Sequence, residues 1–309
     1  MTLKPSNQTL LFGHEHQLLE LSKLYSKDIL PNKILLSGEK GLGKCTLAYH
    51  FINYILSSDE EDSYDLNNFE INNENKSFKL IQNKSNPNVI LIDVKEDKKN
   101  IDINQIRNLI SILNKSSFNT KPRFVLIDNI ELLNINSVNA LLKILEEPND
   151  NINFILINNN KKILSTLKSR CLNFKISLTY NQSIDITNKI LSKNLNNFLN
   201  DDFITNYSTP GQLLRLINFA DLNDLNLKNF NLENLISKII LDKKYKKDVS
   251  IKNLIYLLIE LYFRNNISIK NIEMINMYKY FIDKINNTKL FNLDEESLFI
   301  EFEDKILNE

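Results

Sequence analysis

Apolar and polar positions follow two regimes along this chain. Up to about residue 176, short runs of Ile, Val, Leu and Phe recur: KILLS (33–37), VILID (89–93), RFVLID (123–128), NFILIN (153–158) and LNFKI (172–176). Such runs, too short for helices and rich in β-branched residues, predict strands buried on both faces. Helical patterns lie between most of them. TLAYHFINYIL follows the first run and INQIRNLISIL precedes Lys121-Pro122. In NSVNALLKILEEP (136–148), Val138, Leu141, Leu142 and Leu145 form an apolar face that Pro148 stops. Strands alternating with helices predict a five-stranded parallel sheet covered on both sides, an α/β domain over residues 1–176.

Beyond Lys175 the alternation ends. Residues 181–200, 210–221, 230–245, 250–265, 269–287 and 293–307 carry Ile and Leu at helical spacing and read as successive amphipathic helices. The stretch Tyr207-Ser-Thr-Pro-Gly211 predicts a turn that opens a helix, with Ser208 or Thr209 as N-cap and Pro210 in its first turn. A small helical domain over 177–222 and a second over 223–309 are therefore expected. Residues 57–87, acidic at Asp59 to Asp62 and then rich in Asn, follow neither pattern and are expected to form a solvated loop.

Composition narrows the classes of function. The 38 basic side chains are balanced by 38 acidic ones, which argues against a strongly basic nucleic-acid protein. No stretch approaches the roughly 20 apolar residues of a membrane span. The start, MTLKPSNQTLLFG, lacks the apolar run of a signal peptide, so the expected location is the cytoplasm. Two cysteines, Cys45 and Cys171, exclude a disulfide framework and a four-cysteine zinc site. His14, His16 and His50 supply no metal site; the first two are expected at the surface or as helix caps. Of only five glycines, Gly38, Gly41 and Gly43 crowd into GEKGLGKCTL (38–47).

That stretch carries the chemistry. A glycine-framed G-x-x-x-x-G-K between an apolar strand and a helix is a phosphate-binding loop, whose backbone N–H groups and helix N-terminus cradle an anion. Gly38, Gly41 and Gly43 would let the backbone wrap the phosphates, and Lys44 would approach the β- and γ-phosphates. The next residue should be a hydroxyl that holds Mg²⁺, and here it is Cys45; Thr46, one position later, faces the α-phosphate instead. Asp128, closing the third run, matches the strand-end acid that positions Mg²⁺ in P-loop ATPases. Its neighbour Asn129 stands where a water-activating carboxylate would be and has no basic oxygen. Glu131, two residues on, is expected at the surface. With both the Mg²⁺ hydroxyl and the general base missing, hydrolysis is expected to be lost. Arg170 precedes the last run at the rim of the sheet, where an arginine is commonly a surface ion-pair residue.

NALLKILEEP, the apolar strand after it and LSTLKSRC resemble the AAA+ subunits of sliding-clamp loaders, with the delta-prime subunits of bacterial DNA polymerase III the nearest type. LFGHEHQLLEL and STPGQLLRL fall where that family has related segments, and the match runs over roughly residues 10 to 220. The resemblance implies an AAA+ P-loop domain followed by a helical lid (177–222) and an all-α collar (223–309). It implies that Arg170, in Ser169-Arg170-Cys171, is an arginine finger given in trans to a neighbour's ATP site. Asn158 or Asn159 would occupy the sensor position after the fourth strand, and Arg215 the helix of a second sensor. The implied partners are gamma/tau and delta subunits, with the sliding clamp and primed DNA met through the complex and no membrane. ATP or ADP is expected to bind without hydrolysis and with indifference to Mg²⁺. Relatives carry a four-cysteine zinc module where this chain has the cysteine-free 57–87, so no zinc is expected. The competing reading is an active ATPase of gamma or tau type, against which Cys45 and Asn129 both speak.

Overall fold

A computed structural model describes residues 4–95, 98–115, 119–146, 151–204, 208–246, 248–267, 271–291 and 293–308. The chain divides into two compact units, one ending at Leu178 and the other starting at Thr179.

In the first unit, β1 (Lys33–Ser37), β2 (Val89–Ile92), β3 (Arg123–Ile127), β4 (Ile152–Asn158) and β5 (Leu172–Lys175) form one sheet. All pairings are parallel, in the order β2-β3-β4-β1-β5. Period-two alternation splits each apolar run between two cores. Ile34, Leu36, Phe124, Leu126, Ile155 and Ile157 face α1 (Glu15–Ser26), α2 (Lys44–Leu56) and α3 (Lys76–Gln82). Leu35, Val125, Ile127, Phe154 and Leu156 pack with α4 (Ile103–Leu113), α5 (Ile135–Glu146) and α6 (Ser165–Lys168). This is why the central runs β1, β3 and β4 read as continuously apolar: both of their faces are covered, whereas the edge strands β2 and β5 are partly exposed.

Local chemistry sets the helix ends. Asp102 caps α4 with a reciprocal Gln105 capping box, and buried Arg123 donates to Ile112 O, Leu113 O and Lys115 O at its other end. α5 is described to Glu146, and the stop expected at Pro148 lies outside the described residues.

The expected loop at 57–87 is instead a packed segment. Tyr64, Ile71, Phe78 and Ile81 are buried in the core beside α2. Asn75 caps α3, and Glu60 of the acidic cluster accepts from the amides of Lys76 and Ser77 at the same helix start. The segment also reaches back to the N-terminal residues. Ile71 N donates to Thr9 O at 2.8 Å and Leu11 N to Phe69 O at 3.1 Å. On α2, His50 is buried between Tyr64 Oη at 2.9 Å and Gln8 O at 3.1 Å.

The second unit is helical: α7 (Tyr180–Leu191), α8 (Pro210–Leu222), α9 (Leu232–Asp242), α10 (Val249–Asn266), α11 (Ile272–Phe291) and α12 (Glu295–Phe302), the last running into a π-turn over Glu303–Leu307. The helix expected over 181–200 ends at Leu191, because Ser192 turns left-handed at φ 52° and short 3₁₀ turns capped by Asn194 and Asn200 follow. Thr209 caps α8 through a box with Gln212, with Pro210 in the first turn; Tyr207 lies outside the described residues. One core, from Leu195 to Phe302, fills the unit. Among the described residues no helix is long and apolar enough to cross a membrane.

Candidate nucleotide site

The loop Gly38–Cys45 leaves the C-terminal end of β1, the strand that β4 and β5 flank. Open α/β sheets hold ligands at this end of their strands. Gly41 (φ 92°) and Gly43 (φ 84°) are left-handed, which makes the reversal into α2 possible. Gly38 is needed for a different reason. A Cβ on it would lie 2.2 Å from Ile176 O, at the end of β5.

The Lys44 ammonium is buried and its donors are met from within the fold: Gly38 O at 2.9 Å, Glu39 O at 2.6 Å and Asn159 Oδ1 at 3.0 Å. Burial outweighs the neighbouring carboxylates and lowers its pKa to about 8. Burial, then the negative charges of Asp128 and Asp93, pushes the Cys45 thiol pKa well above the usual thiol range. At neutral pH position 45 therefore presents a protonated thiol, a poor ligand for an ion that takes hard oxygen donors. Asp128 Oδ1 accepts from Asn129 N at 2.8 Å. Burial, then Asp93, raises the Asp128 pKa to about 6.

Asn129 is left-handed at φ 55° and bridges two neighbours. Its Nδ2 donates to Asp93 Oδ1 at 2.7 Å, and its Oδ1 accepts from Asn159 Nδ2 at 2.8 Å. Asn159 also donates to Glu131, from Nδ2 at 3.0 Å and from its backbone N at 3.2 Å. One hydrogen-bonded chain thus joins Lys44, Asn159, Asn129 and Asp93, with Glu131 as a branch.

Of the residues singled out in the sequence, Gly38, Gly41, Gly43, Lys44, Asp128 and Asn159 meet here, and Thr46 lies half-buried in the first turn of α2. Asn158 does not join them; its side chain closes a turn with Lys161, donating to Lys161 O at 2.9 Å and accepting from Lys161 N at 3.1 Å. Arg170, after α6, donates to Thr166 O at 2.8 Å and pairs with Glu146 of α5. Arg215 belongs to the second unit, on α8, where burial lowers its pKa.

Three residues escaped the sequence reading. Glu131, expected at the surface, is half-buried and tied to Asn159. His14 stands at the N-cap position of α1, yet its side chain caps nothing and its ring is buried against the loop. Asp93 had a visible signal, since VILID ends as RFVLID does. With Ile92 beside Ile127 in register, Asp93 and Asp128 become neighbours across two parallel strands. Among the described residues no cluster of three or more His, Cys, Asp and Glu side chains is arranged to hold a metal ion.

Buried groups of this unit titrate in opposing senses. His50 is held neutral, its pKa lowered to about 4 by burial, so the stability it contributes is full above its unfolded pKa and is lost as pH falls towards 4. Burial lowers His14 in the same direction. Asp128 is raised to about 6, so its contribution is full at low pH and is lost as pH rises through 6. From pH 7 to pH 5, His50 should cost about 2 kcal/mol while Asp128 returns about 1 kcal/mol. Urea unfolding at the two pH values should show a steeper acid loss in Asp128→Asn and a shallower one in His50→Gln. Parallel pH dependence in both variants and the wild type would contradict this assignment.

A family model described as "DNA polymerase III, delta subunit" matches residues 13–179. The chain belongs to this DNA polymerase III family. Among curated proteins it is similar to DNA polymerase III subunit gamma of Buchnera aphidicola (subsp. Schizaphis graminum), with 27% identity over 81% of this chain and 71% of that protein. It is also similar to DNA polymerase III subunit delta' of Pseudomonas aeruginosa, with 30% identity over 44% of this chain and 40% of the relative. To subunit delta' of Buchnera aphidicola (subsp. Baizongia pistaciae) it is 32% identical over 46% of this chain and 42% of the relative. The chain thus spans about two-fifths of each of these delta' relatives. The DNA polymerase III match covers the α/β unit from Gly13 onward, with every residue of the site described above; Arg215 lies beyond it.

Proposed function

We propose that this chain is a non-hydrolysing, delta-prime-type subunit of a DNA polymerase III clamp loader. One observation carries the reading: both positions that would handle Mg²⁺ and attacking water are engaged otherwise. Cys45 presents a neutral thiol held protonated by burial and by Asp128 and Asp93, and Asn129, without a basic oxygen, is bound between Asp93 and Asn159. A nucleotide fits the loop itself. Gly41 and Gly43 give the loop its left-handed reversal, Gly38 lets it pass close to Ile176 O, and α2 begins at Lys44 with its N-terminus at the loop. Gly38, Gly41, Gly43, Lys44 and Thr46 would hold ATP or ADP, with Lys44 exchanging its carbonyl partners for phosphate oxygens. Mg²⁺ does not fit, because Cys45 offers a neutral thiol.

In this reading residues 1–176 form the AAA+ domain, 177–222 the lid and 223–309 the collar. Gamma/tau and delta subunits are the neighbours, and Arg170 serves the ATP site of one of them. The sliding clamp and primed DNA are met through the assembled complex.

The second reading, an active gamma- or tau-type ATPase, has the extent of the gamma match and the Glu131 carboxylate in its favour. ATP turnover by the isolated chain separates the two. The expected result is no hydrolysis above that of Lys44→Ala, with labelled ATP bound equally in Mg²⁺ and in EDTA. Turnover that disappears in Lys44→Ala would establish the second reading instead.

A further inference from the structure

We infer that His14 is a positioning residue for the phosphate-binding loop, holding it from outside through the Leu42 carbonyl. The inference rests on the reading of that loop as a nucleotide site. His14 Nε2 donates to Leu42 O at 2.5 Å. Leu42 lies between the left-handed Gly41 and Gly43, with its side chain buried in the core. The imidazole also packs on Gly43, since a Cβ there would sit 3.5 Å from His14 Nε2 and 3.6 Å from Cδ2.

The peptide plane explains what this bond does. In a trans peptide the carbonyl and the following N–H point in opposite directions. Holding Leu42 O towards His14 therefore aims Gly43 N–H to the side away from His14. A loop that binds an anion through N–H groups needs its carbonyls turned elsewhere, and His14 supplies the partner that turns this one.

The ring is also held at a cost. Its Nδ1 is buried with no hydrogen-bond partner. An apolar side chain would fill the same space without that penalty, but would leave Leu42 O without its donor. The charged groups bearing on the ring are Glu15 and Lys44. His14 is itself placed by the segment before it, which the 57–87 segment fastens through Thr9, Leu11 and Phe69, and His50 through Gln8. The packed segment thus lies at the start of a connected route to the loop.

The test uses the full chain with His14→Gln, His14→Asn and His14→Leu. A glutamine Nε2 can reach as far as the histidine Nε2, whereas the asparagine amide is too short and leucine has no donor. The readouts are amide hydrogen exchange at Gly41, Gly43 and Lys44, measured without nucleotide, and equilibrium binding of labelled ATP. His14→Asn and His14→Leu should exchange faster at these amides and bind ATP about tenfold more weakly, roughly what one lost hydrogen bond takes. His14→Gln should stay near wild type in both. Slow exchange in all three variants, or equal losses in Gln and Leu, would overturn the inference. If no protein binds ATP, the nucleotide reading fails while the exchange pattern still decides the positioning role. Should Asn and Leu not fold, nitrogen-15 NMR of the wild-type ring decides: an Nε2–H tautomer is expected, and an Nδ1–H tautomer overturns it.

Discussion

Gly38→Ala should destabilise the α/β unit by about 3 kcal/mol, at the upper end of what overpacking costs. The added Cβ would stand 2.2 Å from Ile176 O and 3.1 Å from Leu42 Cδ1. The nearer atom belongs to the backbone and cannot rotate away. The carbonyl follows the amide that donates to Ser37 O at 2.7 Å, so relief must prise the end of β5 from β1 or push the loop outward. Gly41→Ala provides the contrast: its cost is a left-handed backbone, about 1 kcal/mol. Urea midpoints for the two variants test the ranking. A Gly38→Ala loss no larger than that of Gly41→Ala would mean that the strand end yields freely. In the proposed nucleotide site the displaced backbone is the phosphate cradle, so labelled ATP binding should fall in parallel with stability.

This distinction between the two glycines was invisible in the sequence, where both read as places for phosphate to approach. Their difference depends on a carbonyl more than a hundred residues away, which only the β1–β5 pairing brings near. The central strands β1, β3 and β4 were legible because both of their faces are buried, so that each reads as a nearly unbroken apolar run. α4 was legible because an amphipathic pattern began at a strong cap. The segment 57–87 was misread for the converse reason. Its buried residues Tyr64, Ile71, Phe78 and Ile81 are spaced irregularly among Asn and acidic residues, and they pack through turns and caps that have no periodic signature. His14 could not be read at all, since its partner is a backbone carbonyl rather than a residue type. Cys45 and Asn129 were conspicuous as departures from a motif, but their partners were not. Burial among Asp128 and Asp93 keeps the thiol protonated, and the Asn129 amide is bound to Asp93.

Arg170→Ala should lower the DNA-stimulated ATPase of a complex assembled with gamma/tau-type subunits by about 10³-fold, as removal of a trans arginine does elsewhere in P-loop chemistry. The same substitution should leave the fold of this chain almost unchanged. Arg170 pairs with Glu146, but the two side chains are 34% and 55% exposed, and such a pair contributes about 1 kcal/mol or less. That weakness suits the proposed role. A guanidinium held by a half-solvated carboxylate and, through Nη1, by Thr166 O at the exposed end of the short helix α6 can exchange these partners for a phosphate at small cost. Arg170→Lys should not restore the rate, because a single ammonium lacks the planar fork that meets two oxygens at once. Assembly, followed by co-purification or sizing, should be the same for both variants and wild type. Unchanged ATPase in the assembled Arg170→Ala complex would leave Arg170 as an ordinary surface ion-pair residue. An equal loss of assembly and ATPase would make it an interface residue instead. Only a rate loss in an intact complex identifies charge donated across a subunit boundary, and it would assign the chemistry that Cys45 and Asn129 do not perform here to the neighbouring site.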